Sequence, residues 1–226
     1  MATLTTKRNK SLSRSQVVEA IRKGILGAEL VPGQRLVEAE LCESLGASRG
    51  VVRSALVDLV HEGLLEHIPN RGARVRVVSL QEALQISEVR MAVESLCVAK
   101  AAVKITDKEI KVLHRIGEDL KHRADVGDTT GFAESTHQLF EHYVRIAAQP
   151  VAEEILVRLR DRNSRHRFRL TYRSDRARVS LPFWLDIISA ICARDPGAAQ
   201  EAIRHLAENV QEAMKTLAED RNFVLG

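Results

Sequence analysis

Apolar positions in the first quarter of the chain recur at helical spacing. Residues 15–26, SQVVEAIRKGIL, place Val17, Val18, Ile21 and Ile25 on one helical face, and Gly27 ends the pattern. Val31-Pro32-Gly33 forms a turn. A short helix is predicted over Glu38–Leu45, with Gly46 as its left-handed cap. Ser48 is a good N-cap for a third helix, because its hydroxyl can accept an orphan backbone N–H. Val52, Ala55, Leu56, Leu59 and Val60 form that helix's buried stripe, and Gly63 closes it. The period then changes. Leu64–Ile68 is a short strand, Pro69-Asn70-Arg71-Gly72 a turn, and Ala73–Val78 an alternating, half-exposed strand. This hairpin is the clear β signal in the sequence.

Beyond about residue 78 the helical period returns and persists. Ser79-Leu80-Gln81-Glu82 and Thr106-Asp107-Lys108-Glu109 read as capping boxes. Val126-Gly127-Asp128 breaks the chain before a helix over roughly 130–148. Pro150 starts a helix running to about 174, Leu181-Pro182 another to about 194, and Asp195-Pro196 the last to about 222. The expected architecture is mostly α. A short disordered basic arm (1–12) precedes a winged helix-turn-helix of three helices and a hairpin (13–78). An all-α bundle of about six helices follows (79–226).

Composition fits that picture and narrows it. Aromatic residues make up only 4% of the chain, which suits helices better than a β-sandwich. No stretch approaches the ~20 apolar residues of a membrane helix. The N-terminus has no apolar segment after its basic residues, so it does not read as a signal peptide. Cys42, Cys97 and Cys192 are odd in number and far apart. They read as reduced thiols of a cytoplasmic protein. The net charge of +4 sits entirely in residues 1–78, which hold twelve basic and eight acidic side chains; the remainder holds twenty-two of each. A basic module on a neutral body suits attraction to phosphate.

The third helix sharpens this. Arg49 and Arg53 lie four residues apart, on the face opposite the apolar stripe and at the capped N-terminus, where free N–H groups also attract phosphate. Gly50 between them would let the helix approach DNA closely. In a winged helix-turn-helix, such a helix enters the major groove by its N-terminal end. Arg71, at the wing tip, is expected to contact DNA. Arg74 and Arg76 point outward and read equally well as plain surface.

The segment LVPGQRLVEAELCESLGASRGVVRSALVDLVHEGLLEHIPNRGARV, residues 30 to 75, resembles the GntR family of bacterial transcription regulators. Pro-Gly-x-Arg-Leu, Leu-Gly-x-Ser-Arg, Arg-x-Ala-Leu, Glu-Gly-Leu and Asn-Arg-Gly occur in order and at the family's separations. The resemblance implies DNA contacts by Arg35, Arg49, Arg53 and the wing residue Gly72, with Ser48 as cap and phosphate contact. The family's Thr-Pro after Ser-Arg is replaced here by Gly50-Val51. The family's threonine hydroxyl therefore has no counterpart, which implies either a different operator base at that position or weaker binding. EVRMAVESLCVAKAA, 88 to 102, resembles the start of the FadR-type helical ligand-binding domain.

Many domains of that type hold a divalent metal with one Asp and three His. Aligning IAAQPV and SAICARDP with the family's breaks puts Thr136, Phe140, Trp184 and Leu206 at those four places, with His205 one residue off. Such side chains cannot ligate a metal. The expectation is no cofactor and a metal-free pocket partly filled by Phe140 and Trp184. A one-residue shift would instead bring in His137, His142 or His205. Arg90 and Glu94 read either as a salt bridge at i,i+4 or, as the resemblance implies, as Arg90 holding an effector carboxylate. Asn163 and His166 could supply polar pocket groups. Residues 158–178 hold nine arginines and two aspartates, read as a solvated face against a partner subunit or the DNA-binding domain before an anion site. Glu134-x-x-His137 is half a di-iron motif with no second half.

The reading favoured by these residues is a homodimeric, ligand-responsive repressor of a catabolic operon. It would bind double-stranded, inverted-repeat operator DNA and a small organic acid, and it would not engage a membrane. An all-α enzyme with an accessory winged helix would need an acid–base or nucleophile set, and none can be placed. A winged helix used for protein contact would lack steep salt dependence of DNA binding.

Overall fold

The structure, a computed structural model, describes residues 12–68, 72–171, 173 and 175–219. The chain divides into two compact units after Val77.

The first unit contains α1 (Arg14–Leu26), β1 (Arg35–Leu36), α2 (Glu38–Leu45), α3 (Arg49–His61), β2 (Leu65–Ile68) and β3 (Gly72–Val75). Ser13 caps α1 in a full capping box with Gln16. Gly46 ends α2 in the left-handed conformation at φ 60°. The Ser48 hydroxyl accepts the Val51 N–H at the start of α3. Val17, Ile21, Val52, Ala55 and Leu59 meet Leu65 and Val75 in one core. The sheet has three strands, not the two of a simple hairpin. β1 pairs with β3 on the side away from β2, with Arg35 opposite Arg74 and Leu36 opposite Ala73. Two residues carry no alternation that could announce a strand. Leu36 is nonetheless buried at 3% exposure, which fixes the register.

The second unit contains α4 (Leu80–Lys104), α5 (Asp107–Val126), α6 (Thr129–Ala147), α7 (Pro150–Arg162), α8 (Ser164–Thr171), α9 (Arg176–Cys192) and α10 (Pro196–Glu219). That is seven helices among the described residues rather than about six. The helix expected to run from Pro150 to about 174 stops at Asn163, which is only 1% exposed. The helix expected to begin at Leu181-Pro182 begins at Arg176, so Pro182 lies inside it. Thr106 and Glu109 form the anticipated reciprocal box on α5. At Ser79 only half forms. The Ser79 hydroxyl accepts the Glu82 N–H, while the Glu82 carboxylate takes Arg162 Nη2 at 2.7 Å. Helix α4 packs against α6, α7, α9 and α10. Val98, Ala101, Leu113, Leu139, Ile187 and Ile203 form the centre of the core.

Candidate nucleic-acid interface and ligand cavity

Helix α3 presents Ser48, Arg49, Gly50 and Arg53 on its exposed side, while Val52, Ala55, Leu56 and Leu59 anchor the other. The N-terminal N–H groups and the Arg49 guanidinium thus face outward together. A Cβ at Gly50 would meet nothing within 4 Å, so the fold does not require glycine there. The sequence pattern makes Arg53 a second outward cation, but it is already engaged. Its Nε and Nη2 donate to the two carboxylate oxygens of Glu38, at 3.1 and 3.0 Å. The hydrogen bond from Arg53 is the main cause that lowers the Glu38 pKa; burial opposes it, and the charges of Arg53 and Arg49 add to the lowering. Arg35 is exposed on β1. Its opposite number Arg74 reaches Glu66 on β2 at 2.5 Å. Gly72 starts β3 at φ +87°, where a Cβ would stand 3.3 Å from the Leu36 carbonyl oxygen. Arg71 lies outside the described residues.

The second unit holds a half-open cavity of about 160 Å³. Arg90, Phe140 and Trp184, three of the expected effector residues, line it. Asn163 and His166 do not. Asn163 is buried and its Oδ1 has no partner among the described residues, and His166 Nε2 contacts the Val78 carbonyl at 2.9 Å. The cavity also gathers residues that the sequence did not single out for it: Arg160, Arg176 and Tyr143. One signal was available for Arg160. It follows the buried Ala152 and Leu156 at four-residue steps, on the inward face of α7.

The electrostatics of this cavity are unusual for an apolar interior. Arg90 pairs with Glu94, which is 7% exposed. Burial opposes the Arg90 charge, but Glu94 and Tyr143 outweigh it and raise its pKa. Arg160 donates to the His137 ring and lies over the Phe140 ring at 5.7 Å. Its pKa is pushed down, first by burial and then by Arg90. Burial, then Arg173, also pushes Arg176 down. Burial, with Glu94 next, drives the Tyr143 phenol well above its ordinary value.

Thr136, Phe140, Trp184 and Leu206, the four places aligned with a metal set, all line this cavity. Their groups do not fit a divalent cation: the Thr136 hydroxyl is turned onto the Ala133 carbonyl, and the other three are hydrocarbon or indole. The three alternative histidines do not converge. His137 lines the cavity beside Arg160, His142 contacts Arg145, and His205 is exposed beside Arg204. Among the described residues, no three His, Cys, Asp or Glu side chains group to hold a metal. The three cysteines are unpaired.

Comparison with known proteins assigns both units. Residues 13–75 match the model of bacterial regulatory proteins of the gntR family, and residues 85–209 match the FCD domain. The chain is 25% identical over 210 residues to the HTH-type transcriptional repressor RspR of Escherichia coli, covering 92% of this chain and 91% of that one. It is 27% identical over 189 residues to the Nta operon transcriptional regulator of Aminobacter aminovorans, covering 82% and 87%. In fold it is similar to E. coli McbR/YncC, with a TM-score of 0.76 at 21% identity over 91% of this chain and 98% of the other. A putative GntR transcriptional regulator from Rhodococcus gives 0.71 at 21% identity, covering 90% and 97%. These relatives are regulators, not enzymes.

Proposed function

Because the chain belongs to the gntR family of bacterial transcriptional regulators and carries an FCD domain, we propose that it is a dimeric repressor that releases or engages an inverted-repeat operator in response to a small organic acid. The observation that carries the DNA half is the start of α3. There Ser48 caps the helix, Arg49 is exposed, and Gly50 adds no bulk. Arg49 is the residue for base readout, with Arg35 on β1, Arg53 on α3 and Gly72 at the start of β3 as further contacts; Arg71 is carried over from the sequence alone. The organic-acid half is supported by Arg90 at a cavity walled by Phe140 and Trp184. The work belongs in the cytoplasm, and among the described residues no helix is long and apolar enough to cross a membrane.

Dimerisation is supported by an apolar stripe on α4. Val89, Leu96 and Val103 recur every seven residues and are exposed, as are Val151 and Ile155 on the adjoining α7. A second copy of this surface would bury both. Sedimentation of the native chain against Leu96→Glu would show a dimer converting to monomer.

Selection from random duplexes followed by binding titrations tests the DNA reading. Enriched sites should contain two half-sites about 10 base pairs apart, centre to centre. Arg49→Ala should lose roughly 1–3 kcal/mol of discrimination at one base pair. Failure to enrich any two-fold sequence would overturn it.

A further inference from the structure

We propose that the cavity of the helical unit takes a compact organic dianion, with Arg90, Arg160 and Arg176 sharing its charge. This rests on the reading of that cavity as the effector site. The first support is a count of charge. Among the described residues the cavity is lined by three guanidinium groups and one carboxylate, Glu94. Glu94 is taken by Arg90. Arg160 and Arg176 have no carboxylate within salt-bridge reach among the described residues. Arg160 instead donates to an imidazole and rests on a phenyl ring. Asp161 and Glu141 act on Arg160 only from beyond that reach, so two guanidinium groups line the cavity without a direct carboxylate partner among the described residues.

Arg160 and Arg176 are half-buried, and a partly desolvated charge gains from an opposite charge beside it. Guanidinium groups do not give up their protons at any physiological pH. A ligand that suits them is therefore negative. Arg90 adds a further sign, since its Nε is buried and has no hydrogen-bond partner among the described residues. A ligand bearing two negative charges neutralises the site, whereas a monoanion leaves one cation exposed to a low-dielectric wall. Planar forks of guanidinium donors suit carboxylate and phosphoryl oxygens alike.

Size and lining fix the remainder. An apolar cavity of about 150 Å³ holds a benzene-sized molecule, and this one is about 160 Å³. Phe132, Phe140, Trp184 and Leu206 supply its apolar lining. The occupant is therefore a short dicarboxylate or a small phosphomonoester with a short hydrocarbon body.

Calorimetric titration of the full chain, at constant ionic strength, with glutarate, glycerol 3-phosphate and valerate tests this. One of the two dianions should bind at least about tenfold more tightly than valerate, and which one does identifies the acid group. Arg160→Gln and Arg176→Gln should each reduce that dianion's affinity about tenfold and bring it towards valerate. Arg160→Lys, which keeps the charge, should retain most of the preference. Circular dichroism confirms that each variant is folded, and the native-chain comparison stands without them. Equal or tighter binding of valerate overturns the proposal. So does the absence of binding by both dianions, or folded Gln variants with unchanged affinity. A valerate effect on operator binding without a dianion effect would sink the proposal and leave the regulator reading intact. Failure to find an operator would do the reverse, because these titrations contain no DNA.

Discussion

Arg53 of α3 grips Glu38 of α2 through two hydrogen bonds, Nε to Oε1 at 3.1 Å and Nη2 to Oε2 at 3.0 Å. The pair ties the two helices of the helix-turn-helix together on the side that faces outward. On the proposed DNA reading, a phosphate would compete with Glu38 for Arg53, and the Glu38 charge would repel the duplex. Glu38→Gln should raise DNA affinity about three- to tenfold and steepen its salt dependence, because it removes one negative charge and releases a cation. Binding titrations at several salt concentrations check this. The acid side gives a second reading. Glu38's pKa is lowered by Arg53, so the pair's stabilisation is present above the ordinary carboxylate range and is lost as pH falls through the lowered value. Acid unfolding of the native chain should accordingly be steeper than that of Glu38→Gln. Identical acid midpoints and affinities would show the pair to be inert.

Gly50 lies in the first turn of α3 with open space where its Cβ would be. Alanine there should stabilise the first unit by up to about 0.5–1 kcal/mol, because glycine loses more conformational freedom on folding. If the helix approaches the duplex as closely as the exposed N-terminus suggests, the same methyl should weaken operator binding. Chemical denaturation and DNA titration of Gly50→Ala separate the two effects. Higher stability with unchanged affinity would mean that the glycine makes no close approach.

Gly72 and Gly46 both have positive φ, at +87° and +60°, but their surroundings differ. At Gly46 a Cβ meets nothing within 4 Å, whereas at Gly72 it would press on the Leu36 carbonyl oxygen of β1 at 3.3 Å. Gly46→Ala should cost the conformational strain alone, about 1–2 kcal/mol. Gly72→Ala should cost more and should also disturb the Arg35–Arg74 register of the wing. Denaturant midpoints of the two variants give the comparison, and equal losses would show that β1 yields without cost.

What the sequence made legible was local. Gly46, Ser48 and the Thr106–Glu109 box announce helix ends through their own backbone chemistry, and the structure has all three. The missed features depend on partners distant in sequence. β1 is a strand only because β3 lies beside it. The α7–α8 break falls at Asn163-Ser164, two weak helix formers, but the arginine-rich run keeps its helical period on both sides of them and so masks the stop. Pro182 sits inside α9, against its usual role as a helix starter. For the site, the aligned positions Thr136, Phe140, Trp184 and Leu206 did lead to one cavity. Arg160 and Arg176 did not stand out among nine arginines, because burial of particular members of a charge run is a tertiary property.

Tyr143 offers a pH probe of the cavity from within. It is 1% exposed, beside Glu94, and burial, reinforced by Glu94, raises its phenol well above the ordinary value of 10. A folded pKa above the unfolded one means that the stabilisation is complete below about pH 10 and is lost as pH rises towards the folded value, because unfolding releases the phenol to ionise. Phenolate absorbance of the native chain, compared with Tyr143→Phe, should show no difference near pH 10. The difference should appear only at higher pH, together with loss of helical circular dichroism. Tyr143→Phe should in turn retain its fold to higher pH than the native chain. A difference signal centred on pH 10 with the helices intact would mean that water reaches the phenol, and that Arg90 and Glu94 sit in a wetter cavity than their burial indicates.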